Sequence, residues 1–188
     1  MARKGLHLLS AAFPLGYSLG ISRTVVLWTL FAVLGIAAVV ELARARSGYA
    51  RSLFDARLGT LLREHERNGL SGATWLILAL FVTTVVFPKD VAIAAMSAVC
   101  LGDAFAAIIG RVSNPWRTPD RKSFAGSSAC FTVSAIAAYV MAEFPWRDAL
   151  LSGVLAAAAE HPRRPMDDNF RIALAVGCGI LLWRMGFS

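Results

Sequence analysis

The sequence is poor in charge and has no paired cysteines. Asp, Glu, Lys and Arg make up 16% of its 188 residues, and its longest polar stretch covers only about residues 43–70. A soluble domain of this size needs far more polar surface, so a soluble fold is excluded. The cysteines, Cys100, Cys130 and Cys178, stand singly in apolar runs. They are expected to pack as small side chains and to form neither a disulfide nor a metal site.

The glycine-rich loops of soluble nucleotide-binding proteins are also missing. A Lys-Ser pair occurs at 122–123, but no Gly-x-x-x-x-Gly precedes it, and there is no protein-kinase glycine loop. Neither of those folds applies. Because internal repeats and low-complexity tracts are absent as well, we expect one integral-membrane domain over residues 1–188.

Apolar residues dominate, at 57% of the chain with a mean hydropathy of +0.60. They predict an all-α polytopic membrane protein with about seven transmembrane helices. The expected spans are 6–22, 25–42, 71–87, 91–110, 126–142, 148–160 and 170–187. Whether the first span, which contains Pro14, and the short sixth span cross the membrane completely stays open. Residues 50–67 place leucines and Phe54 on one stripe, which predicts an amphipathic helix on the inner membrane surface.

The basic residues are distributed unevenly between the loops. With seven alternating spans, fifteen of the nineteen Lys and Arg residues fall on one side, and the other side receives Arg23, Lys89, Arg147 and Arg184. The positive-inside rule then puts the N-terminus in the cytoplasm and the C-terminus outside. The loop charges suit anionic lipid headgroups and a polyphosphate better than nucleic acid.

Asp103 is the only charged residue from Val91 to Gly110. A carboxylate in the membrane core costs about 2.5–3.5 kcal/mol on insertion scales, so it normally faces a cavity, a cation or a partner. A purely structural aspartate is the alternative. Small residues surround it: Gly102, Ala106, Ala107 and Gly110. They would admit either a ligand or a closely packed helix.

Two basic clusters fall on the predicted cytoplasmic side. Arg3, Lys4 and His7 precede the first apolar run, where the two basic residues are also explained by topology alone. The loop 121–127 combines Arg121, Lys122 and serines at the start of a predicted helix. Such a helix N-terminus can bind phosphate, and a capped helix with a basic flank is an equal alternative.

An acidic cluster lies between the last two spans on the same side. Glu160 is followed by Asp167, Asp168 and Asn169, oxygen donors of the kind that Mg²⁺ takes together with phosphate. Helix capping would explain Asp167 or Asn169, but not Glu160 as well. Cationic donors, a phosphate cradle and carboxylates on different helices are what phosphoryl transfer requires.

Four motifs occur in a recognisable order. They are Arg3-Lys4-x-x-His7, Gly102-Asp103-x-x-Ala106-x-x-x-Gly110-Arg111, Arg121-Lys122-Ser123-x-x-Gly126-Ser127, and Glu160-x-Pro162 with Asp167-Asp168-Asn169. The pattern resembles the CTP-dependent lipid-alcohol kinases: phytol kinase, dolichol kinase and the CTP-dependent diacylglycerol kinase, which are related to CDP-diacylglycerol synthase.

The resemblance implies transfer of the γ-phosphate of CTP to a polyprenol or dolichol, phytol or diacylglycerol, with Mg²⁺, in the bacterial inner membrane. It implies catalytic roles for Asp103 and Lys122. The implied nucleotide-binding residues are Arg3, Lys4, His7, Gly102, Arg121, Ser123, Gly126, Ser127 and Asn169. The implied metal ligands are Asp103, Glu160 and Asp168. The choice of lipid, and whether the chain forms a homodimer, stay open.

Two alternatives to a kinase are consistent with the residues. A cytidylyltransferase would make a CDP-lipid from CTP and a lipid phosphate, and would release pyrophosphate. A small ion-coupled transporter would use Asp103 as a relay, and it predicts acids on both sides of the membrane. Nine of the twelve acidic residues lie on or toward one side in the predicted topology, which disfavours the transporter.

Overall fold

The computed structural model describes residues 2–59, 62, 66, 69–113, 123–160 and 166–186, with side chains from Lys4 onward. These residues form helices and no strand, which confirms the all-α prediction. In chain order the helices are α1 (Ala2–Ser10), α2 (Ala12–Ser18), α3 (Arg23–Arg46), α4 (Gly48–Leu58), α5 (Gly72–Val86), α6 (Lys89–Ser97), a π-helical segment (Ala98–Gly102), α7 (Asp103–Val112), α8 (Phe124–Met141), α9 (Trp146–Glu160) and α10 (Asp168–Gly186).

Serine residues begin several of these helices. The hydroxyls of Ser22, Ser47, Ser71 and Ser123 each accept a hydrogen bond from a backbone N–H three residues later, at the first turns of α3, α4, α5 and α8. Each bond satisfies one donor that has no partner inside the helix. A serine placed just before an apolar run therefore defines where the helix starts.

Three helices are long and apolar enough to cross a membrane: α3, the continuous Lys89–Val112 and α8, while α5 is apolar but shorter. The predicted run 6–22 is instead divided into α1 and α2. Pro14 lies in the first turn of α2, where the N–H that proline lacks has no helical acceptor to lose. The arrangement with seven spans is thus not confirmed and stays a prediction.

The helix Lys89–Val112 is the centre of the bundle. In its apolar part 72% of the residues are buried, against 11% in α3, which lies at the periphery. A helix that is apolar on all sides is expected to be surrounded by others, and α2, α5, α8 and α10 all pack against its first half, α6. This helix therefore positions Asp103 inside the bundle.

The predicted amphipathic helix is α4, which begins at Gly48 and ends at Leu58. Leu53 and Leu58 are exposed, and Phe54 packs under the guanidinium of Arg44, 4.4 Å from its ring centre. Of the rest of the predicted stripe, Leu61 lies outside the described residues, and Leu62 lies beyond the end of α4 and is half-buried.

A closed ion-pair network lies at the end of the bundle formed by the starts of α6 and α9 and the end of α10. Arg184 pairs with Asp90 at 2.6 Å and with Asp148 at 2.9 Å, and the indole of Trp183 donates to Asp148 at 3.2 Å. The guanidinium also lies 4.5 Å from the ring centre of Phe144. We call this group the Asp148 end.

Candidate functional site

Asp103 is buried against the N-terminal helix. Lys4 forms an ion pair with its Oδ2 and also donates to its backbone carbonyl at 3.3 Å. The Nδ1 of His7 lies 3.4 Å from the same Oδ2. Asp103 is 9% exposed and His7 is 2% exposed. Two predicted clusters that are far apart in sequence therefore form one buried group, which we call the Asp103 end.

The π-helical segment immediately before Asp103 prepares this contact. The Asp103 N–H bonds to the carbonyl of Ala98, five residues back, and not to Val99, its partner in an α-helix. The Nδ1 of His7 lies 3.5 Å from the Val99 carbonyl. The wide turn thus directs both a carbonyl and a carboxylate toward α1. Sequence periodicity predicted an uninterrupted α-helix here and missed the segment.

Helices α7 and α8 approach each other closely beside Asp103. A Cβ added at Gly110 would lie 2.8 Å from the Ser123 hydroxyl, and one at Gly126 would lie 2.8 Å from the Ala106 carbonyl. Gly102 likewise faces the side chains of α8. Tight helix packing therefore accounts for these glycines, and the nucleotide roles predicted for Gly102 and Gly126 remain predictions.

The start of α8 is built as a capped helix. Ser123 is buried, and its hydroxyl accepts from the Gly126 N–H at 3.0 Å. Ser127, half-buried, donates its N–H to the Ser123 carbonyl at 3.1 Å. Arg121 and Lys122 lie outside the described residues, as does the side chain of Arg3. Their predicted contacts with phosphate are untested.

The late acidic cluster is organised by Arg171. Its guanidinium pairs with Asp168 at 2.6 Å and donates to the carbonyls of Ala159 and Glu160 at 2.6 and 3.4 Å. It therefore ties the end of α9 to the start of α10, a role that sequence reasoning missed. The i, i+3 spacing of Asp168 and Arg171 was the available signal.

Asp167 and Asn169 have structural partners in the same cluster. The Asp167 carboxylate accepts from the Asn169 N–H at 2.9 Å, as the capping alternative predicted. The Asn169 amide donates to the Gly72 carbonyl at 3.2 Å and joins α10 to the start of α5. The nucleotide role of Asn169 remains a prediction.

The predicted metal ligands are not gathered into one cluster in the described part of the chain. No three His, Cys, Asp or Glu side chains there lie close enough to hold a metal ion together. Asp103 faces Lys4 and His7, and Asp168 faces Arg171. The arrangement of these residues does not fit a metal cage, so we assign no step to a metal. Mg²⁺ stays a prediction of the resemblance.

A second buried polar group was missed from the sequence. The Glu41 carboxylate pairs with Arg44 and accepts from the Ser71 N–H at 2.8 Å and from the Thr74 hydroxyl at 2.9 Å. Arg44, itself buried, donates to the Glu66 carbonyl at 3.3 Å. These contacts join the end of α3 to the start of α5. An acid and a base three residues apart at the end of an apolar helix were the available signal.

A cavity of about 260 Å³ separates the two buried polar groups. It lies between α1, α3, α4 and the start of α5, and its walls include Leu6, Val40, Phe54 and Leu58. Its polar lining side chains are His7, Glu41, Ser71 and Thr74. His7 belongs to both the cavity and the Asp103 end. The site therefore consists of an apolar chamber connected to a buried carboxylate through one imidazole.

Comparison with known proteins gives three relatives. The chain is 30% identical over 183 residues to CTP-dependent diacylglycerol kinase 1 of Saccharomyces cerevisiae, covering 83% of this chain and 63% of the yeast protein. It is 26% identical over 149 residues to the protein of that name in Schizosaccharomyces pombe, covering 69% and 68%. An uncharacterized protein of Rickettsia prowazekii is 28% identical over 145 residues, covering 76% and 70%.

No family model matches the chain, and no solved structure matches it. The chain spans slightly less than two thirds of the Saccharomyces cerevisiae relative. Relatives at 26–30% identity over most of this chain are named CTP-dependent diacylglycerol kinase, and this similarity supports the CTP-dependent lipid kinase family.

Proposed function

We propose that this protein transfers the γ-phosphate of CTP to the hydroxyl of a membrane lipid alcohol, giving a lipid phosphate and CDP. The observation that carries the proposal is the position of Asp103: a buried carboxylate with a lysine and a histidine on one side and an apolar cavity one residue away. A lipid kinase needs this combination, because its acceptor has an apolar body and a single reacting hydroxyl.

The proposed reaction exchanges two bonds at phosphorus. The acceptor oxygen forms a new bond to the γ-phosphorus as the bond to the β–γ bridging oxygen breaks, and CDP leaves with that oxygen. The hydroxyl proton passes to the His7 imidazole, whose Nδ1 lies within hydrogen-bonding range of the Asp103 carboxylate and hands a proton on to it. Lys4 offsets negative charge beside the transferred group.

The triphosphate is proposed to lie between the Asp103 end and the start of α8. Lys122 and Arg121 would neutralise its charge, and backbone N–H groups at the start of α8, with the hydroxyls of Ser123 and Ser127, would donate hydrogen bonds to it. Arg3, Lys4 and His7 would close this site from α1. The cap at Ser123 supports the proposal, because it fixes where those N–H groups point.

The proposed setting is a bundle of seven spans with the site at the cytoplasmic side, where CTP is found. Three helices of spanning length and a fourth apolar helix support this arrangement. The N-terminus would then lie inside and the C-terminus outside, with the amphipathic α4 on the inner surface near anionic headgroups.

One assay tests the reaction. Purified protein in lipid nanodiscs is given γ-labelled or α-labelled CTP, or ATP, with Mg²⁺ and a panel of phytol, polyprenol and diacylglycerol. Label from the γ-position in a lipid phosphate, together with CDP, is the expected result. Label from the α-position in a CDP-lipid, with pyrophosphate, would instead establish a cytidylyltransferase. No transfer to any lipid overturns the proposal.

A further inference from the structure

We propose that the cavity between α1, α3, α4 and α5 holds the hydroxyl-bearing end of the acceptor lipid, and that His7 contacts the reacting hydroxyl. The inference rests on the proposed function and adds to it the place where the acceptor binds and the residue that contacts its hydroxyl. We call this cavity the acceptor pocket.

The walls of the acceptor pocket suit a hydrocarbon chain. Its described lining is mostly aliphatic or aromatic, and its volume of about 260 Å³ lies near the lower limit of small-molecule sites, which begin at about 300 Å³. The pocket therefore fits the end of one apolar chain with its polar tip. A nucleoside triphosphate would have to leave its charges unsolvated against these walls.

The pocket opens where apolar side chains are exposed. Val40 and Leu58 line it and are 38% and 41% exposed. Val39, adjacent on α3, is 68% exposed. Surface of this kind normally contacts other apolar groups, and in a membrane it contacts lipid chains. An acceptor can thus enter from the bilayer with its chain still in hydrocarbon.

Charge in the pocket favours an uncharged acceptor. Glu41 is the acidic group in the described lining, and it is held in place by Ser71 and Thr74. The charge of Glu41 is already offset by Arg44. The described lining contains no lysine or arginine that could pair with a lipid phosphate, whereas a neutral alcohol needs no counter-ion. The pocket therefore fits the substrate of a kinase better than the acceptor of a cytidylyltransferase, and it disfavours retention of the phosphorylated product.

His7 connects the pocket to the reaction centre. It is 2% exposed, lines the pocket, and places Nδ1 3.4 Å from the Asp103 carboxylate. A carboxylate that orients an imidazole beside a hydroxyl is an arrangement used repeatedly for general-base activation. A hydroxyl bound in the pocket at His7 would therefore be separated from the Asp103 carboxylate by the imidazole alone.

A pair of neighbouring tryptophan substitutions tests the pocket. Ala37 lines it and is half-buried, while Ala38, on the same helix, is exposed and does not line it. Ala37→Trp is expected to raise the KM for the lipid alcohol roughly tenfold or more with the KM for CTP unchanged. Ala38→Trp should change neither. Equal lipid KM values for the two variants would overturn the proposal. If Ala37→Trp does not purify as a single species, Val40→Phe takes its place.

A binding experiment separates this inference from the proposed function. A diacylglycerol that carries a photoreactive diazirine on one chain is crosslinked to the protein in nanodiscs without nucleotide. The expected labels fall on peptides from α1, α3 and α5. Excess diacylglycerol should reduce this labelling, and excess phosphatidylcholine should not. The labelling should be lost in Ala37→Trp and kept in Ala38→Trp.

The outcomes of the two experiments are distinct. Labelling that diacylglycerol competes away, in a protein that phosphorylates no lipid, would support the acceptor pocket and contradict the kinase function. Kinase activity without labelling in these peptides, or labelling that phosphatidylcholine displaces equally, would contradict the acceptor pocket and leave the kinase function supported.

Discussion

Two aspartates at opposite ends of the bundle are buried to the same degree but held differently. Asp103 and Asp148 are each 9% exposed. Asp148 contacts an arginine and an indole from α10, and that arginine also binds Asp90, so the group joins three helices. Asp103 contacts side chains of the short helix α1, and one of these, His7, also lines a cavity.

The contrast shows that a buried acid in an apolar chain does not by itself indicate a reaction. Both aspartates have cationic partners, so burial and pairing do not separate them. What separates them is their position relative to the acceptor pocket, because His7 of the Asp103 end lines that cavity and no residue of the Asp148 end is among its described lining. The predictions below test this difference, from the largest expected effect to the smallest.

Exchanging the two aspartates for asparagine should affect activity very differently. Asp103→Asn is expected to lower kcat roughly 10³-fold or more, because no carboxylate remains to accept the proton, and to lose about 1–3 kcal/mol of stability, since Lys4 loses its charged acceptor. Asp148→Asn should keep most of its activity per folded molecule and lose about 1–3 kcal/mol of stability, since Arg184 loses a charged acceptor. An inactive Asp148→Asn of normal stability would contradict the comparison.

His7→Gln is expected to lower kcat about 10²-fold, since the amide can hydrogen-bond a hydroxyl but cannot take up its proton. Lys4 and Asp103 keep their ion pair in this variant, so the fold should persist. The distinguishing measurement is the dependence of kcat on pH. The residual rate should rise toward high pH, where the hydroxyl ionises more readily, and a profile identical in shape to that of the parent protein would assign His7 to packing alone.

Adding one methyl group should disturb the close contact of α7 and α8. The Cβ introduced by Gly126→Ala would lie 2.8 Å from the Ala106 backbone carbonyl, so the helices must separate, at a cost of about 1–3 kcal/mol. Gly35→Ala on α3 meets nothing within 4 Å and should be neutral or stabilising by up to about 1 kcal/mol. Thermal unfolding of both variants checks this, and equal midpoints would argue against tight packing beside Asp103.

Thr74→Val should have the smallest effect. It removes the hydroxyl that donates to Glu41 at 2.9 Å and leaves the shape of the pocket nearly unchanged. The expected loss is about 0.5–1.5 kcal/mol of stability, with a few-fold higher KM for the lipid alcohol and an unchanged KM for CTP. Thr132→Val, which removes an exposed hydroxyl bonded within α8, is the matched control. A larger rise of the lipid KM in the control would contradict an influence of the Glu41 group on the acceptor.

The helices were predictable because their signals are local. Apolar runs identified the long helices. The capping serines Ser71 and Ser123 were a further local signal at the starts of α5 and α8. The division of the first run at Ala11 was not predicted, although Pro14 was noticed. Proline in a first turn is compatible with helix, so only packing decides whether the helix continues through it.

The site was predictable only in part. Lys4, His7 and Asp103 were each selected from the sequence, and the structure brings them together. The Glu41 group and the contacts of Arg171 between α9 and α10 were missed. Glu41 bonds to residues 30 and 33 positions away, and Arg171 donates to carbonyls on the other side of a loop. Helical periodicity relates residues three or four positions apart and does not predict such long-range contacts.

The π-helical segment has a consequence for insertions and deletions in this chain. A π turn accommodates one residue more than an α turn, and one residue corresponds to about 100° of rotation about the helix axis. Loss of a single residue inside Ala98–Gly102 can therefore be absorbed by reverting to ordinary α-helix, with Asp103 still facing α1. Loss of a residue one turn earlier, within α6, cannot be compensated in this way. It would rotate either the buried face of α6 or the Asp103 side chain away from the residues that it contacts.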